Sequence, residues 1–87
     1  MYKVKLSARA RNYYKRQPPR MKQRINKGLD AFKESPLSGP HIKPLHGKLK
    51  GYYRYEVGGL RVVYRVDTKA LMVYVSEIRR RGDVYKR

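Results

Sequence analysis

The sequence contains no cysteine, so it has neither a disulfide bond nor a thiol for chemistry. Its two histidines, His41 and His46, have no cysteine near them and do not form the ligand cluster of a zinc site. There is no apolar run of about 18 residues that would form a membrane-spanning helix. The N-terminal stretch MYKVKLSARA also lacks the apolar segment of a secretory signal peptide. These absences predict a cytoplasmic protein with no membrane partner.

Acidic residues are scarce. The chain has 6 Asp and Glu residues against 23 Lys and Arg residues, for a net charge of +17. A field of this size attracts polyanions and is typical of nucleic-acid-binding proteins. A basic surface with no partner is disfavoured, because self-repulsion of this magnitude destabilises the compact state. A membrane-surface role is also disfavoured, because the basic residues are spread along the chain rather than gathered on one amphipathic helix.

The first half of the chain predicts one strand and two helices within a single domain, residues 1–87. In YKVKL, residues 2–6, apolar residues alternate with lysines, as in a half-buried strand. Ser7 is placed to cap a helix that runs to about Arg16, and Pro18-Pro19 ends it. A second helix over residues 19–34 carries one apolar stripe, made of Met21, Ile25, Leu29 and Phe32. The prolines of residues 36–44 predict a loop that contains His41 and Lys43, and His46 follows as a further loop residue.

Residues 51–66, GYYRYEVGGLRVVYRV, predict a β-hairpin with its turn at Gly58-Gly59. This register pairs Glu56 with Arg61 and puts alternate side chains on opposite faces. One face is apolar and packs on the helices: Tyr53, Tyr55, Val57, Leu60, Val62, Tyr64 and Val66. The other is the open face: Arg54, Glu56, Arg61, Val63 and Arg65. A last strand over residues 70–78, paired in simple register, adds Met72, Tyr74, Ser76 and Ile78 to the open face.

The predicted fold class is therefore α+β, with two N-terminal helices packed on a small, mainly antiparallel sheet. The open face combines arginines with tyrosines. Arginine binds phosphates through a two-pronged fork, and tyrosine stacks on unpaired bases, so this composition suits RNA. Beside the catalytic candidates named below, we assign RNA binding to Arg65, Arg79 and Arg80.

Two stretches of the chain resemble the RelE/ParE superfamily of toxins. They are KPLHGKLKGYYRYEVGGLRVVYRV, residues 43–66, and VYVSEIRRRGDVY, residues 73–85. The superfamily pattern has PL-x-G-x-L-x-G-YYR, then a hairpin with G-x-x-R-V-x-Y-R, then a last strand followed by V-Y. The order of one strand, two helices and an antiparallel sheet also agrees, so the resemblance covers nearly the whole chain.

The resemblance implies a RelE-like fold, similar to that of microbial ribonucleases, and a cognate acidic antitoxin. In the RelE branch it implies an endonuclease that cuts mRNA in the ribosomal A site. In the ParE branch it implies a poison of DNA gyrase. Arg54, Arg61, Arg81 and Tyr85 stand at the RelE positions, so we favour RelE. A catalytically inactive basic RNA-binding module is a third alternative, because the chain departs from the pattern: Glu56 stands where relatives are basic, and Arg79 and Arg80 replace a Gly-His pair.

The resemblance to the RelE branch implies cleavage without a metal or another cofactor, by attack of the RNA 2′-hydroxyl on the adjacent phosphate. Arg61 and Arg81, supported by Arg54, are the candidates to stabilise the phosphorane, since fixed cations aimed at developing charge are often the largest catalytic effect. Arginine is a poor base. Tyr85 is a candidate for stacking or proton transfer. Glu56 is either the general base or, as we favour from the sequence, an ion-pair clamp on Arg61. Lys43 is a further candidate within reach.

Overall fold

The fold, described by a computed structural model for residues 1–81, is a five-stranded sheet covered on one face by two helices. In chain order the elements are β1 (Lys3–Leu6), α1 (Ala8–Lys15), α2 (Pro19–Glu34), β2 (Ile42–Pro44), β3 (Tyr52–Val57), β4 (Leu60–Asp67) and β5 (Met72–Arg80), with a short 3₁₀ turn at Gly47–Leu49. The strand order is β1-β5-β4-β3-β2. All neighbours are antiparallel except β1 and β5, which are parallel. The predicted α+β class with a mainly antiparallel sheet is confirmed.

The helix boundaries follow from local signals in the sequence. The Ser7 hydroxyl accepts a hydrogen bond from the Ala10 amide at 3.0 Å and donates one to the Ser76 carbonyl, also at 3.0 Å. It therefore caps α1 and ties that helix to β5. Pro19 opens α2, where its missing N–H costs no hydrogen bond. Neither these helices nor the 3₁₀ turn, the helical segments found within residues 1–81, is long and apolar enough to cross a membrane.

The core lies between α2 and the apolar face of the sheet. Met21, Ile25 and Phe32 are buried, and Leu29 packs partly buried against them, so the predicted stripe is confirmed. The Phe32 ring lies 4.1 Å from the Tyr64 ring, centroid to centroid. α2 approaches β3 closely at Gly28, where a Cβ atom would lie 2.8 Å from the Tyr55 ring. A side chain at this position would push the helix off the sheet.

The β3–β4 hairpin has the predicted register. Val57 pairs with Leu60, and Glu56 pairs with Arg61. Gly58 and Gly59 both have positive φ, at 53° and 85°, which glycine adopts without strain. All seven residues predicted for the apolar face lie in the core or pack against it.

Residues 42–44 are a strand, so the predicted loop over residues 36–44 is wrong at its end. β2 pairs with β3, which sets Lys43 opposite Arg54. A proline is tolerated here because β2 is an edge strand, and its outer side needs no N–H donor. Lys43 therefore belongs to the sheet rather than to a loop.

A β-bulge changes the predicted alternation of β5. Val63 pairs with Glu77 whereas Tyr64 pairs with Val75, so Ser76 is the extra residue. Its hydroxyl donates to the Val63 carbonyl at 3.1 Å. Beyond the bulge the faces exchange, as one extra residue in a strand requires. The prediction that Ile78 lies on the open face is therefore wrong: Ile78 is buried, and Glu77 and Arg79 take the open face. The strand also runs over Met72–Arg80 rather than 70–78, because Leu71 still belongs to the preceding turn with φ 56°.

Because of Tyr64, the stability of the fold should decrease at alkaline pH. Its ring is fully buried, and its hydroxyl donates to the Pro36 carbonyl at 2.6 Å. Burial, with a smaller contribution from Tyr53, raises the pKa of Tyr64 well above its usual value. The stabilisation from the neutral hydroxyl is thus complete below about pH 10, where an unfolded tyrosine titrates, and is lost as pH rises toward the higher folded-state value.

Tyr64→Phe should cost about 1–2 kcal/mol of unfolding free energy at neutral pH, because the Pro36 carbonyl loses its donor. The loss of stability above about pH 10 should be shallower than in the wild type. Urea denaturation over a pH series measures both effects. If the unfolding free energies of the two proteins fell equally across the alkaline range, Tyr64 would not be the group that causes the loss of stability.

Candidate functional site

The open face of the sheet is organised in three rows of side chains that run across the strands. The hairpin row, next to the β3–β4 turn, holds Glu56, Arg61 and Arg79. The middle row holds Lys43, Arg54, Val63 and Glu77. The distal row, at the far end, holds Tyr52, Arg65, Tyr74 and Lys5. The predicted arginine-lined face therefore exists, and strand pairing fixes the order of its side chains.

A cavity of about 310 Å³ lies at the hairpin end of the sheet. Its wall combines the turn with the end of β5: Glu56, Val57, Gly58, Gly59, Leu60, Arg61, Arg79, Arg80 and Arg81. The cavity brings together Arg61, Arg81 and Glu56 from the predicted catalytic set. Arg54 and Lys43 lie one row away and Arg65 two rows away. Tyr85 lies outside the described residues, so its role stays a prediction.

Hydrogen bonds to backbone carbonyl groups hold both walls of this cavity. The Arg81 amide donates to the Gly59 carbonyl at 2.8 Å, which closes the end of β5 against the turn. The turn is anchored in its place by Arg24 of α2, whose guanidinium donates to the carbonyls of Val57 and Gly58 at 2.7 and 3.0 Å. Arg24 could not be singled out from the sequence, because its basic side chain does not differ from the other charged side chains off the apolar stripe of α2.

Glu56 lies between two arginines without a tight bond to either. Its Oε1 is 3.5 Å from Arg54 Nε, and its Oε2 is 3.7 Å from Arg61 Nε. Charge-assisted hydrogen bonds are shorter, at about 2.7–2.9 Å. The Arg54 Nε atom is buried and makes no hydrogen bond with any described residue, so its contact with Glu56 is an ion pair only. The Glu56 side chain is about half exposed, at 47%. Its carboxylate can therefore accept a hydrogen bond from a bound ligand.

Glu77 is a second acid on the open face that the sequence analysis did not single out. Its Oε2 pairs with the Arg79 guanidinium and lies 3.9 Å from Arg9 of α1. Arg79 is therefore already neutralised. Arg81, in contrast, has no carboxylate partner within residues 1–81. Arg81 is thus better placed than Arg79 to meet new negative charge in the cavity, and Arg61 has only a long contact of 3.7 Å with Glu56.

No group of three or more His, Asp or Glu side chains that could hold a metal ion occurs in the part of the chain from residue 1 to 81. Among residues 1–81, the side chains that line the cavity offer guanidinium groups and one carboxylate for chemistry. Such a set can bind a phosphodiester, stabilise added negative charge on it and accept a proton.

Residues 4–85 match the family described as the ParE toxin of type II toxin–antitoxin systems, parDE. No curated protein matches the chain.

Among solved structures, the chain is similar to the toxin–antitoxin complex RelBE2 from Mycobacterium tuberculosis. The identity is 26% over 92% of this chain and 98% of that one, with a TM-score of 0.80. It is also similar to the YoeB/ParE toxin from Agrobacterium tumefaciens, at 26% identity over 90% and 96% of the two chains and a TM-score of 0.78. The archaeal RelE–RelB complex from Pyrococcus horikoshii shares the fold, at 24% identity over 93% and 96% of the chains and a TM-score of 0.76.

Proposed function

Since this chain belongs to the ParE toxin family of type II toxin–antitoxin systems, in the RelE/ParE superfamily, we propose that it is a ribosome-dependent endonuclease that cuts mRNA in the A site. As a toxin of such a pair it has a cognate antitoxin as its partner, and several of the similar structures are complexes of toxin with antitoxin. An acidic antitoxin would complement the net charge of +17. The resemblance of Arg54, Arg61, Arg81 and Tyr85 to the RelE positions supports the nuclease over other activities of this superfamily.

The observation that carries the proposal is the cavity at the hairpin turn, where Arg61, Arg81 and Glu56 meet. RNA needs no external nucleophile, because its own 2′-hydroxyl can attack the adjacent phosphate. A cleaving site must orient that attack, remove the hydroxyl proton and stabilise the extra negative charge of the phosphorane. Preorganised cations supply the last of these, and such stabilisation is often the largest single catalytic effect.

In the proposed reaction Glu56 accepts the proton of the 2′-hydroxyl. It is the acid that lines the cavity within residues 1–81, and its distances of 3.5 and 3.7 Å to the arginines leave its oxygens open to a closer donor. The 2′-oxygen then bonds to phosphorus, and the bond from phosphorus to the 5′-oxygen breaks. The products are a 2′,3′-cyclic phosphate and a 5′-hydroxyl. Arg61 and Arg81 neutralise the phosphorane, and Tyr85 remains the candidate to protonate the leaving oxygen.

The other predicted residues act in binding. Arg54 and Lys43, paired across β3 and β2, extend the positive charge beyond the cavity. Arg79 and Arg80 line the cavity at its other wall, and Arg65 lies farther along the face. Because these contacts are electrostatic, affinity for ribosomal RNA and mRNA should fall steeply with salt. The ribosome would hold the mRNA for cleavage, so naked RNA should be cut poorly.

A second candidate function is poisoning of DNA gyrase. The family match favours it, since the matching description names the ParE toxin of parDE systems. The two functions differ in the process that stops first. A nuclease halts translation, whereas a gyrase poison causes DNA damage and filamentation.

Primer extension on an mRNA translated by purified ribosomes tests the proposal, with the same mRNA naked as the control. We expect cuts within A-site codons on the ribosome only. If neither sample is cut, the nuclease proposal is wrong. A supercoiling assay then separates a gyrase poison from an inactive RNA-binding protein.

A further inference from the structure

The distal row forms a second concave site on the open face, at the end opposite the catalytic cavity. Its four members are neighbours across four strands: Lys5 pairs with Tyr74, Tyr74 with Arg65, and Arg65 with Tyr52. The same four side chains line a cavity of about 210 Å³. The lining includes no acid, unlike the hairpin and middle rows, and is completed by Leu6, Ser7, Val75 and Ser76.

The Arg65 guanidinium is stacked and carries uncompensated charge. Its carbon Cζ lies 4.3 Å from the centroid of the Tyr74 ring, on one face of that ring. In the chain from residue 1 to 81, neither Arg65 nor Lys5 has a carboxylate within ion-pair distance. Asp67, two residues along β4, instead accepts hydrogen bonds from the amides of Lys69 and Ala70. Arg65 thus offers a flat cationic surface that no carboxylate within residues 1–81 neutralises.

We propose that the distal row is a stacking subsite for a base of single-stranded RNA, a few nucleotides from the cleaved phosphodiester. Unpaired bases stack on arginine planes and aromatic rings, and a nearby cation holds the phosphate. Arg65 lies four residues from Arg61 on the same strand, about 13 Å away, so one RNA strand can occupy both sites within a few nucleotides. This inference rests on the proposed function, because it takes RNA as the substrate.

An acidic protein segment is the competing occupant of the distal row. It would use the charges of Lys5 and Arg65 but would gain little from the stacked arrangement of Arg65 on Tyr74. A nucleobase uses both features, since it takes stacking from the plane and phosphate binding from the charge. The combination of a stacked plane with unpaired cations therefore favours RNA.

The test measures binding of a fluorescent uridine oligoribonucleotide, without ribosomes, against an abasic ribose-phosphate chain of equal length. Both carry the same charge, so their affinity ratio reports contacts with bases alone. Wild type should prefer the uridine chain by about tenfold, within the range for stacking on an aromatic side chain. Tyr74→Leu and Arg65→Lys should lose most of this preference. Tyr74→Phe, the matched control, should keep it because the ring remains.

Salt dependence supplies a second readout. Arg65→Ala should reduce the slope of log affinity against log salt by about 0.7, the contribution of one contact to a single-stranded phosphate chain. Tyr74→Leu should leave the slope unchanged while it removes the base preference. Arg11→Ala, on the exposed surface of α1, should leave both the slope and the base preference unchanged. Thermal melts would show that each variant is folded.

The outcomes separate this inference from the proposed function. If wild type cuts mRNA on ribosomes but Tyr74→Leu and Arg65→Lys keep the base preference, the subsite is wrong and the nuclease stands. If the base preference depends on Tyr74 but no mRNA is cut, the nuclease is wrong and the RNA-binding subsite stands. If the variants bind RNA normally but lose the antitoxin, the distal row is a protein interface and the inference is overturned.

Discussion

Arg61→Ala should lower cleavage of ribosome-bound mRNA by about 10²–10³-fold, the usual loss when one group that stabilises transition-state charge is removed. Growth arrest on expression should disappear with it. Arg61 faces the cavity and is about 3.7 Å from Glu56, so its removal takes away a cation and leaves the core untouched. Because the side chain is 42% exposed, the free energy of unfolding should change by no more than about 0.5 kcal/mol.

Two variants control for loss of charge. Arg11→Ala removes one positive charge from the exposed surface of α1 and should cut mRNA as wild type does. Arg61→Lys keeps the charge but not the fork that binds two phosphate oxygens, so its activity should lie between those of wild type and Arg61→Ala. Full growth arrest by Arg61→Ala, in a protein that melts like wild type, would refute the assigned site.

Glu56→Gln should reduce the cleavage rate on ribosomes by about 10²–10⁴-fold, the contribution of a general base. Glutamine has nearly the same shape and can still accept hydrogen bonds, but its amide does not take up the 2′-hydroxyl proton. The measurement is the single-turnover rate at saturating toxin, where weaker binding does not contribute. A clamp role predicts a much smaller loss, since the ion pairs of Glu56 are long and its side chain is about half exposed.

Glu77→Gln is the matched control. It removes the same charge from the same face, next to Arg79 rather than Arg61, and Glu77 does not line the cavity. If both variants slow cleavage equally, the effect is electrostatic and the base is another group. If only Glu56→Gln slows it, Glu56 is the base, and the departure of this position from the superfamily pattern marks a change of catalytic group.

Those parts of the fold that depend on local signals could be predicted from the sequence. The Gly58-Gly59 turn and the alternation around it fixed the register, and with it the face that carries Arg54, Glu56 and Arg61. The apolar spacing of Met21 and Phe32 predicted the buried side of α2.

What the sequence did not reveal depends on tertiary contacts. Residues 42–44 have too little apolar alternation to predict a strand, and they become one because the edge of β3 is open to pairing. The bulge at Ser76 arises from pairing with Val63 and Tyr64 and leaves no local mark. For the same reason, the sequence did not predict that Glu77 lies on the open face and that Ile78 is buried.

The candidate site also depends partly on local sequence signals and partly on tertiary contacts. Strand alternation alone put Arg54, Glu56, Arg61 and Arg65 on one face. The cavity needs more than alternation, because it forms where the Arg81 amide meets Gly59 and where Arg24 of α2 holds the turn. Both contacts join residues far apart in the chain, so no spacing rule identifies them.

The parallel pairing of β1 with β5 has a consequence for the synthesis of the protein. Lys3 is synthesised well before its partner Met72, and β5 lies between β1 and β4 in the sheet. Contacts that join distant parts of a chain form late, because the intervening loop must close first. The sheet therefore stays divided until β5 leaves the ribosome, and Arg79, Arg80 and Arg81 arrive with it. The arginine cavity is thus complete only after β5 has been synthesised and has paired with its neighbours.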